Sequence, residues 1–301
     1  MTRLDVCPRQ AADRAAGEAA ILPPVPPASL SPSFASTGAP LSLLIDYDGT
    51  ISRLDVGDTL LERLAQDQAE VADRDAQYDA GLVGSRELMR WDMDVLPQDH
   101  ARLLEIASAV PQDETLGMLV ERARVHGAVV EIVSDGLGFY IQDNLGRLGL
   151  ADLSIATNHH TVSGGGAGMS FPYGNPRCLV CGTCKRERVL LHQAAGRVVV
   201  LIGDGTSDRY AAAHADVVFA KGKLVDICRS AGWPALGWGS FADIAAWLDE
   251  GLADGALPLT ATAVAAWRER NGSASRPFVC GPEVWGSGRR TPPRQGPAAV
   301  R

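Results

Sequence analysis

The chain has 301 residues, 46% hydrophobic and 21% charged, with a formal charge of -8 and a pI near 5.3. The apolar fraction excludes wholesale disorder. The acidic balance excludes a general nucleic-acid or anionic-membrane binder, which needs a basic face to displace counterions.

Residues 1–20 carry Arg3, Asp5, Arg9, Asp13, Arg14 and Glu18, and this is not the uninterrupted apolar core of a secretory signal. Residues 21–40 are rich in Pro, Ser and Ala without a period, so 1–38 reads as a disordered N-terminal segment. Leu41–Tyr47 (LSLLIDY) is the first predicted strand. Residues 57–110 then break the pattern and read as several helices, a small cap inserted directly after that strand. A predicted helix at 112–126 leads into the strand Ala128–Ser134, and a helix at 137–148 into the strand Leu153–Thr157. His159, His160 and Gly164–Gly166 follow in an excursion read as a β-hairpin or loop. Further helices are expected at 185–195, 207–214, 222–232 and 241–250, with strands at Arg197–Gly203 and Asp216–Ala220. Such alternation is the sign of an α/β fold, a three-layer parallel sheet with crossover helices. The catalytic core is expected over 39–56 and 111–250, and 251–301 as a mostly disordered tail with a helix at 260–270. No stretch reaches the roughly 18 uncharged apolar residues of a membrane span, and the six cysteines are too unevenly spaced for a secreted disulfide framework. A cytoplasmic protein is expected.

Three predicted strands end in polar residues: Asp46-Tyr47-Asp48-Gly49-Thr50, Ser134-Asp135-Gly136, and Gly203-Asp204-Gly205-Thr206-Ser207-Asp208. Open α/β sheets bind ligands beyond the carboxyl ends of their strands. Asp46, Asp48, Asp204 and Asp208 gathered at one rim repel each other unless a cation shares them, and all-oxygen ligands of this kind suit Mg²⁺. Phosphoryl transfer then gives each group a role. Asp46 is placed to attack phosphorus, Asp48 to protonate the leaving oxygen and then deprotonate water, and Ser134 and Lys185 to hold phosphoryl oxygens.

In this order, D-x-D-G-T, a strand-terminal Ser, a later Lys and G-D-G-x-x-D resemble the four motifs of the haloacid dehalogenase superfamily, over roughly residues 41–250. The helical insert resembles the C1 cap of its phosphoserine phosphatase branch (subfamily IB). Cys181-Gly182-Thr183-Cys184-Lys185 and Phe219-Ala220-Lys221 through Cys228-Arg229 resemble the methionine-salvage phosphatases of that branch. The resemblance implies Asp46 as nucleophile and metal ligand, Asp48 as acid/base and main-chain metal ligand, Asp204 as metal ligand and Asp208 as support of the metal site. It implies Ser134 and Lys185 on the phosphate, with Thr50, Asp135 and Gly136 as further phosphate or substrate contacts; Asp135 has helix capping as its alternative. Asp55 falls where phosphoserine phosphatases meet the substrate amine. Arg86 and Arg90 are the nearest candidates for the cap arginine that takes the serine carboxylate. The implied substrate is a small phosphorylated metabolite.

Cys178, Cys181 and Cys184 have two readings. They are reduced thiols in a loop that positions Lys185, or three ligands of a structural Zn²⁺ with His159, His160 or Cys228 as the fourth. Two competing functions use the same residues: a phosphotransferase or mutase sharing the aspartyl-phosphate, and a non-enzymatic metal- or redox-responsive binding protein centred on the cysteines.

Overall fold

Leu41–Ile45 is apolar except at Ser42 and buried throughout, as a parallel strand covered on both faces must be. In the computed structural model, which describes residues 40–271 apart from 164, 165 and 177, this strand, β1, is the centre of a seven-stranded sheet. It pairs in parallel with β2 (Val129–Leu137) on one side and β5 (Val198–Gly203) on the other. β3 (Ser154–Ser163) continues the sheet beyond β2, and β6 (Val217–Ala220) beyond β5. β4 (Gly166–Ser170), antiparallel to β3, and the short β7 (Leu236–Gly237) form the edges.

The pleat divides these strands between two cores. Leu41, Leu43 and Ile45 join Val198, Val200 and Ile202 under α5 (Leu116–Val125), α6 (Gly138–Arg147) and α10 (Phe241–Ala253). Leu44, Val199 and Leu201 face the other way, against α7 (Lys185–Ala194), α8 (Arg209–Ala212) and α9 (Gly222–Ala231). Among the described residues no helix is long and apolar enough to cross a membrane.

Between β1 and α5 lie α1 (Val56–Leu64), α2 (Gln68–Asp79), α3 (Ser85–Val95) and α4 (His100–Ser108). Three of them start at aspartates, Asp55, Asp67 and Asp99, whose carboxylates accept first-turn backbone N–H groups. Helix α3 starts instead at Gly84, where a Cβ would sit 2.5 Å from the Val180 carbonyl oxygen. Glycine there lets the cysteine loop press against the insert.

The structure differs from the sequence reading where loops pair with loops. The helix expected from 112 starts at Leu116 because Arg53 donates to the Pro111 carbonyl and Asp113 to that of Ile51. The helix expected at 207–214 divides into a 3-10 turn, Thr206–Asp208, and α8. Of the 251–301 segment, expected to be mostly disordered with a helix at 260–270, the described part runs to Asn271 and includes that helix. Its helix α11 (Ala261–Asn271) buries Val264 and Trp267, and Arg268 pairs with Asp216 at 3.0 Å. The rest of that segment, like 1–38, lies outside the described residues.

One buried polar knot ties α7 to the sheet. The Glu131 carboxylate on β2 meets Arg188 Nη2 at 2.6 Å and His192 Nε2 at 2.8 Å, and His192 Nδ1 lies 2.8 Å from Ser42 Oγ on β1. Removing one partner of such a knot leaves charge buried and uncompensated. Glu131→Ala should therefore cost about 3–5 kcal/mol in chemical denaturation, and a loss within error of zero would show the knot to be energetically idle.

Candidate active site

The site forms where β1, β2 and β5 end. Asp46 extends the pairing of β1 by one residue, its amide donating to the Ile202 carbonyl at 2.9 Å, and its Oδ1 accepts from the Tyr47 amide at 2.7 Å. The chain then turns at Gly49, whose φ is +72°. A Cβ there would lie 2.4 Å from Asp204 Oδ2, so glycine allows the β1 and β5 loops to meet. Thr50 Oγ1 closes that contact by donating to Asp204 Oδ1 at 2.7 Å.

Lys185, the first residue of α7, reaches the same point. Its Nζ lies 2.6 Å from Asp46 Oδ1 and 2.8 Å from Asp208 Oδ1, and donates to Ser207 Oγ at 2.8 Å. Burial alone would lower the Lys185 pKa; Asp208 and Asp46 outweigh it and hold the ammonium above its ordinary value. The other Asp208 oxygen accepts from the Asp204 and Gly205 amides.

Asp46, Asp204 and Asp208 each offer a carboxylate oxygen within 4.8 Å of the others, and no other such set of His, Cys, Asp and Glu occurs among the described residues. Burial and the Asp208 charge push Asp46 well above the usual carboxylate range against the pull of Lys185. The same two causes raise Asp204 to about 6. Carboxylates that destabilise each other in this way fit a divalent cation, whose charge offsets their mutual repulsion.

Asp48 sits apart from this cluster. Its Oδ1 accepts from the Val56 amide at 3.1 Å, and its Oδ2 from Tyr140 at 2.9 Å and Ser134 Oγ at 3.3 Å. Burial, and then repulsion from Asp55, drive its pKa well up. Ser134 Oγ also accepts from the Gly136 amide at 2.8 Å. Gly136 is confined to glycine, since a Cβ would meet Tyr140 Oη at 2.1 Å and Asp48 Oδ2 at 2.2 Å.

Of the other predicted residues, Asp135 and Asp55 line the same cleft while taking structural partners, and Arg90 does not. Asp135 caps no helix; its Oδ1 accepts from the Thr183 amide at 2.7 Å and from Asn158 at 3.0 Å, fastening the cysteine loop. Asp55 caps α1 through the Asp58 amide and lines the cleft. Arg90 does not line the cleft: its guanidinium lies over the Phe171 ring, 5.0 Å from the centroid. Arg86 lies over the same ring and donates to the Cys181 carbonyl.

No disulfide joins Cys178, Cys181, Cys184 or Cys228, and they form no three-ligand set with each other or with His159 and His160. Burial raises Cys184 to about 11, which disfavours the thiolate a metal needs. The zinc reading thus has no geometric support. The loop instead docks α3: Arg86 N donates to the Val180 carbonyl and Gly182 N to Ser85 Oγ.

Sequence reasoning missed Tyr140 and Lys221. Lys221 follows the end of β6, the same position in the strand that selected the other residues, and its Nζ donates to the Thr50 carbonyl at 3.1 Å. Tyr140 lies inside α6 and carried no signal.

The sheet order, the helical insert and this clustering of acids at the strand ends define a haloacid dehalogenase-like phosphatase fold. Solved structures agree. A phosphoserine phosphatase captured as a phospho-aspartyl intermediate analogue matches with TM-score 0.51 at 16% identity, over 67% of this chain and 95% of that one. A HAD-family hydrolase from Salmonella enterica serovar Typhi matches with TM-score 0.54 at 18% identity, over 68% and 70%. No protein-family model matches the chain. In sequence it is similar to curated 2-hydroxy-3-keto-5-methylthiopentenyl-1-phosphate phosphatases. That of an Exiguobacterium species is 26% identical over 68% of this chain and 96% of its own length. Those of Exiguobacterium sibiricum and Microcystis aeruginosa are 28% and 27% identical, over 68% and 67% of this chain and 94% and 95% of theirs. Fold and homologues together group the chain with phosphoric monoester hydrolases and bear out the family resemblance read from its motifs.

A cation shared by Asp46, Asp204 and Asp208 has a measurable signature. Without it, stability should fall as pH rises through about 6, because the folded state binds these protons more tightly than the unfolded chain does. Mg²⁺ at a hundredfold excess over its Kd adds about 2.7 kcal/mol, so the rise in melting temperature should be larger above pH 7 than at pH 5. Equal shifts at both pH values would count against the cluster.

Proposed function

We propose that the chain is a Mg²⁺-dependent phosphatase that hydrolyses a small phosphomonoester through an aspartyl-phosphate on Asp46. The observation that carries this reading is the division of labour between two carboxyls of one turn. Asp46 lies beside the Lys185 ammonium, whereas Asp48 is turned toward Tyr140 and favoured in its protonated form. Burial pushes both carboxyls up, but only Asp46 is in direct contact with the Lys185 ammonium, which pulls it back toward the charged form a nucleophile needs.

Asp46 Oδ1 is engaged by Lys185 and the Tyr47 amide, leaving Oδ2 to attack phosphorus. As the bond from phosphorus to the leaving oxygen breaks, Asp48 gives its proton to that oxygen. Water then attacks the aspartyl-phosphate, Asp48 takes its proton back, and inorganic phosphate and free Asp46 result. Lys185 offsets the repulsion between carboxylate and phosphate. Mg²⁺ held by Asp46, Asp204 and Asp208, with the Asp48 main chain, would supply further positive charge against the phosphoryl oxygens.

The cleft, about 580 Å³, is closed on its insert side by Leu60, Leu61, Leu88, Met89, Met93 and Leu96. That wall suits an apolar body such as the methylthio end in the relatives' named substrate, since thioether and aliphatic side chains pack readily against one. It offers no free cation for a serine-type carboxylate. Arg53 is turned to Asp113 at 3.7 Å and Lys223 is held by Asp79 at 2.8 Å.

Hydrolysis of p-nitrophenyl phosphate with Mg²⁺ tests the mechanism. Asp46→Asn should lower kcat on the order of 10³-fold or more, and Asp48→Asn about 10²–10⁴-fold. Undiminished turnover by the Asp46 variant would overturn the assignment.

A further inference from the structure

Asp92 is a polar group without a protein partner. It lies on α3, one turn from Leu88 and Leu96, on the face that closes the cleft. Oδ1 is fully buried and unpaired, while the residue as a whole is half-buried and lines the cleft. Buried polar groups are almost always paired, so an unpaired one that lines a cleft points to a partner on the ligand. The mechanism proposed above gives Asp92 no task.

We propose that Asp92 is a specificity-determining residue: its carboxyl hydrogen-bonds an uncharged oxygen, carbonyl or hydroxyl, on the otherwise apolar body of the phosphomonoester. The inference rests on the phosphatase reading and assigns the class of substrate that its cleft takes.

The surroundings fix the form of the carboxyl. Burial first, and then the charges of Asp75 on α2, Asp58 on α1 and Asp55 at its N-cap, raise Asp92 to about 8. No cation opposes them. Lys223, on α9, is taken by Asp79, and on α3 itself Arg86 and Arg90 lie over Phe171. At neutral pH Asp92 is therefore a carboxylic acid, able to donate to a carbonyl and to exchange hydrogen bonds with a hydroxyl. A carboxyl kept neutral by an apolar site is a known way of supplying such a donor. Its flanks on α3, Leu88, Met89, Met93 and Leu96, offer the substrate body apolar contacts, while Asp55, Asp58, Asp75 and Asp79 line the cleft toward α1 and α2 and disfavour an anionic one.

The test uses the Mg²⁺-loaded protein and a series of five-carbon alkyl phosphates: n-pentyl phosphate, its positional oxo and hydroxy derivatives, and the matching amines. At least one oxo or hydroxy isomer should exceed the parent in kcat/KM by roughly tenfold, chiefly through KM, and Asp92→Leu should reduce that preference to about threefold or less. Asp92→Asn, which retains a donor, should keep it. In the wild type the preference for oxo isomers should decline above pH about 8, where Asp92 ionises, and in Asp92→Asn it should not. The wild-type and Asn profiles suffice if the Leu variant does not fold. Preference for no oxygenated isomer, preference for an amine, a preference that survives in the Leu variant, or identical wild-type and Asn pH profiles would each overturn the proposal. Failure of the phosphatase reading would appear separately, as wild-type protein that does not hydrolyse p-nitrophenyl phosphate.

Discussion

The arrangement of the site depends on one buried contact, the Lys185 ammonium between the carboxylates of Asp46 and Asp208. A lysine this deep in the protein would ordinarily lose its proton, and three converging carboxylates would ordinarily keep at least one. The carboxylates keep the ammonium charged, and the ammonium offsets part of the upward push that burial and Asp208 exert on Asp46. The cost of arranging this falls on the scaffold, because a misplaced ammonium would leave the carboxylates uncompensated. Helix α7 is accordingly fixed at both ends: by Arg188 and His192 on Glu131 in the middle of the sheet, and by the Thr183 amide on Asp135 just before Lys185.

The turn after β1 achieves a second separation with very little chain. Asp46 still belongs to the strand, while Asp48 lies past the point where pairing stops and turns toward α6 and the start of α1. Tyr47 fills the gap between them, its hydroxyl fixed by Asn144 at 2.8 Å and Gln112 at 2.8 Å. Burial raises both side chains; beyond it, Asp46 stands between Asp208, which raises it further, and Lys185, which pulls it down, whereas Asp48 meets the repulsion of Asp55.

The sheet was legible because β1 and β5 are short, continuous apolar runs ended by Asp, as strands covered on both faces and open at the carboxyl rim must be. The helices of the insert were legible as a group, and Asp55, Asp67 and Asp99 mark three of their starts. Other features have no local signal. β7 is too short to carry a period, and α5 starts late because of pairing between residues far apart in sequence. In the site, strand-end position pointed to Asp46, Ser134 and Asp204 and would have pointed to Lys221. Arg90 was misjudged because residue type and position in the insert cannot reveal which helix face meets Phe171. The bond from the Thr183 amide to Asp135 had no local signal, because Thr183 belongs to a loop 48 residues away.

The cysteine loop has a mechanical consequence. Its Val180, Cys181 and Gly182 hold the first turn of α3, and Lys185 begins within the next few residues. The seat of the lid and the seat of the lysine are thus one short piece of chain. Arg86 reaches this loop at Cys181, while Thr183, two residues before Lys185, is tied separately to Asp135 and Asn158, so the contact to the insert and the approach to the lysine sit on adjacent residues with separate anchors.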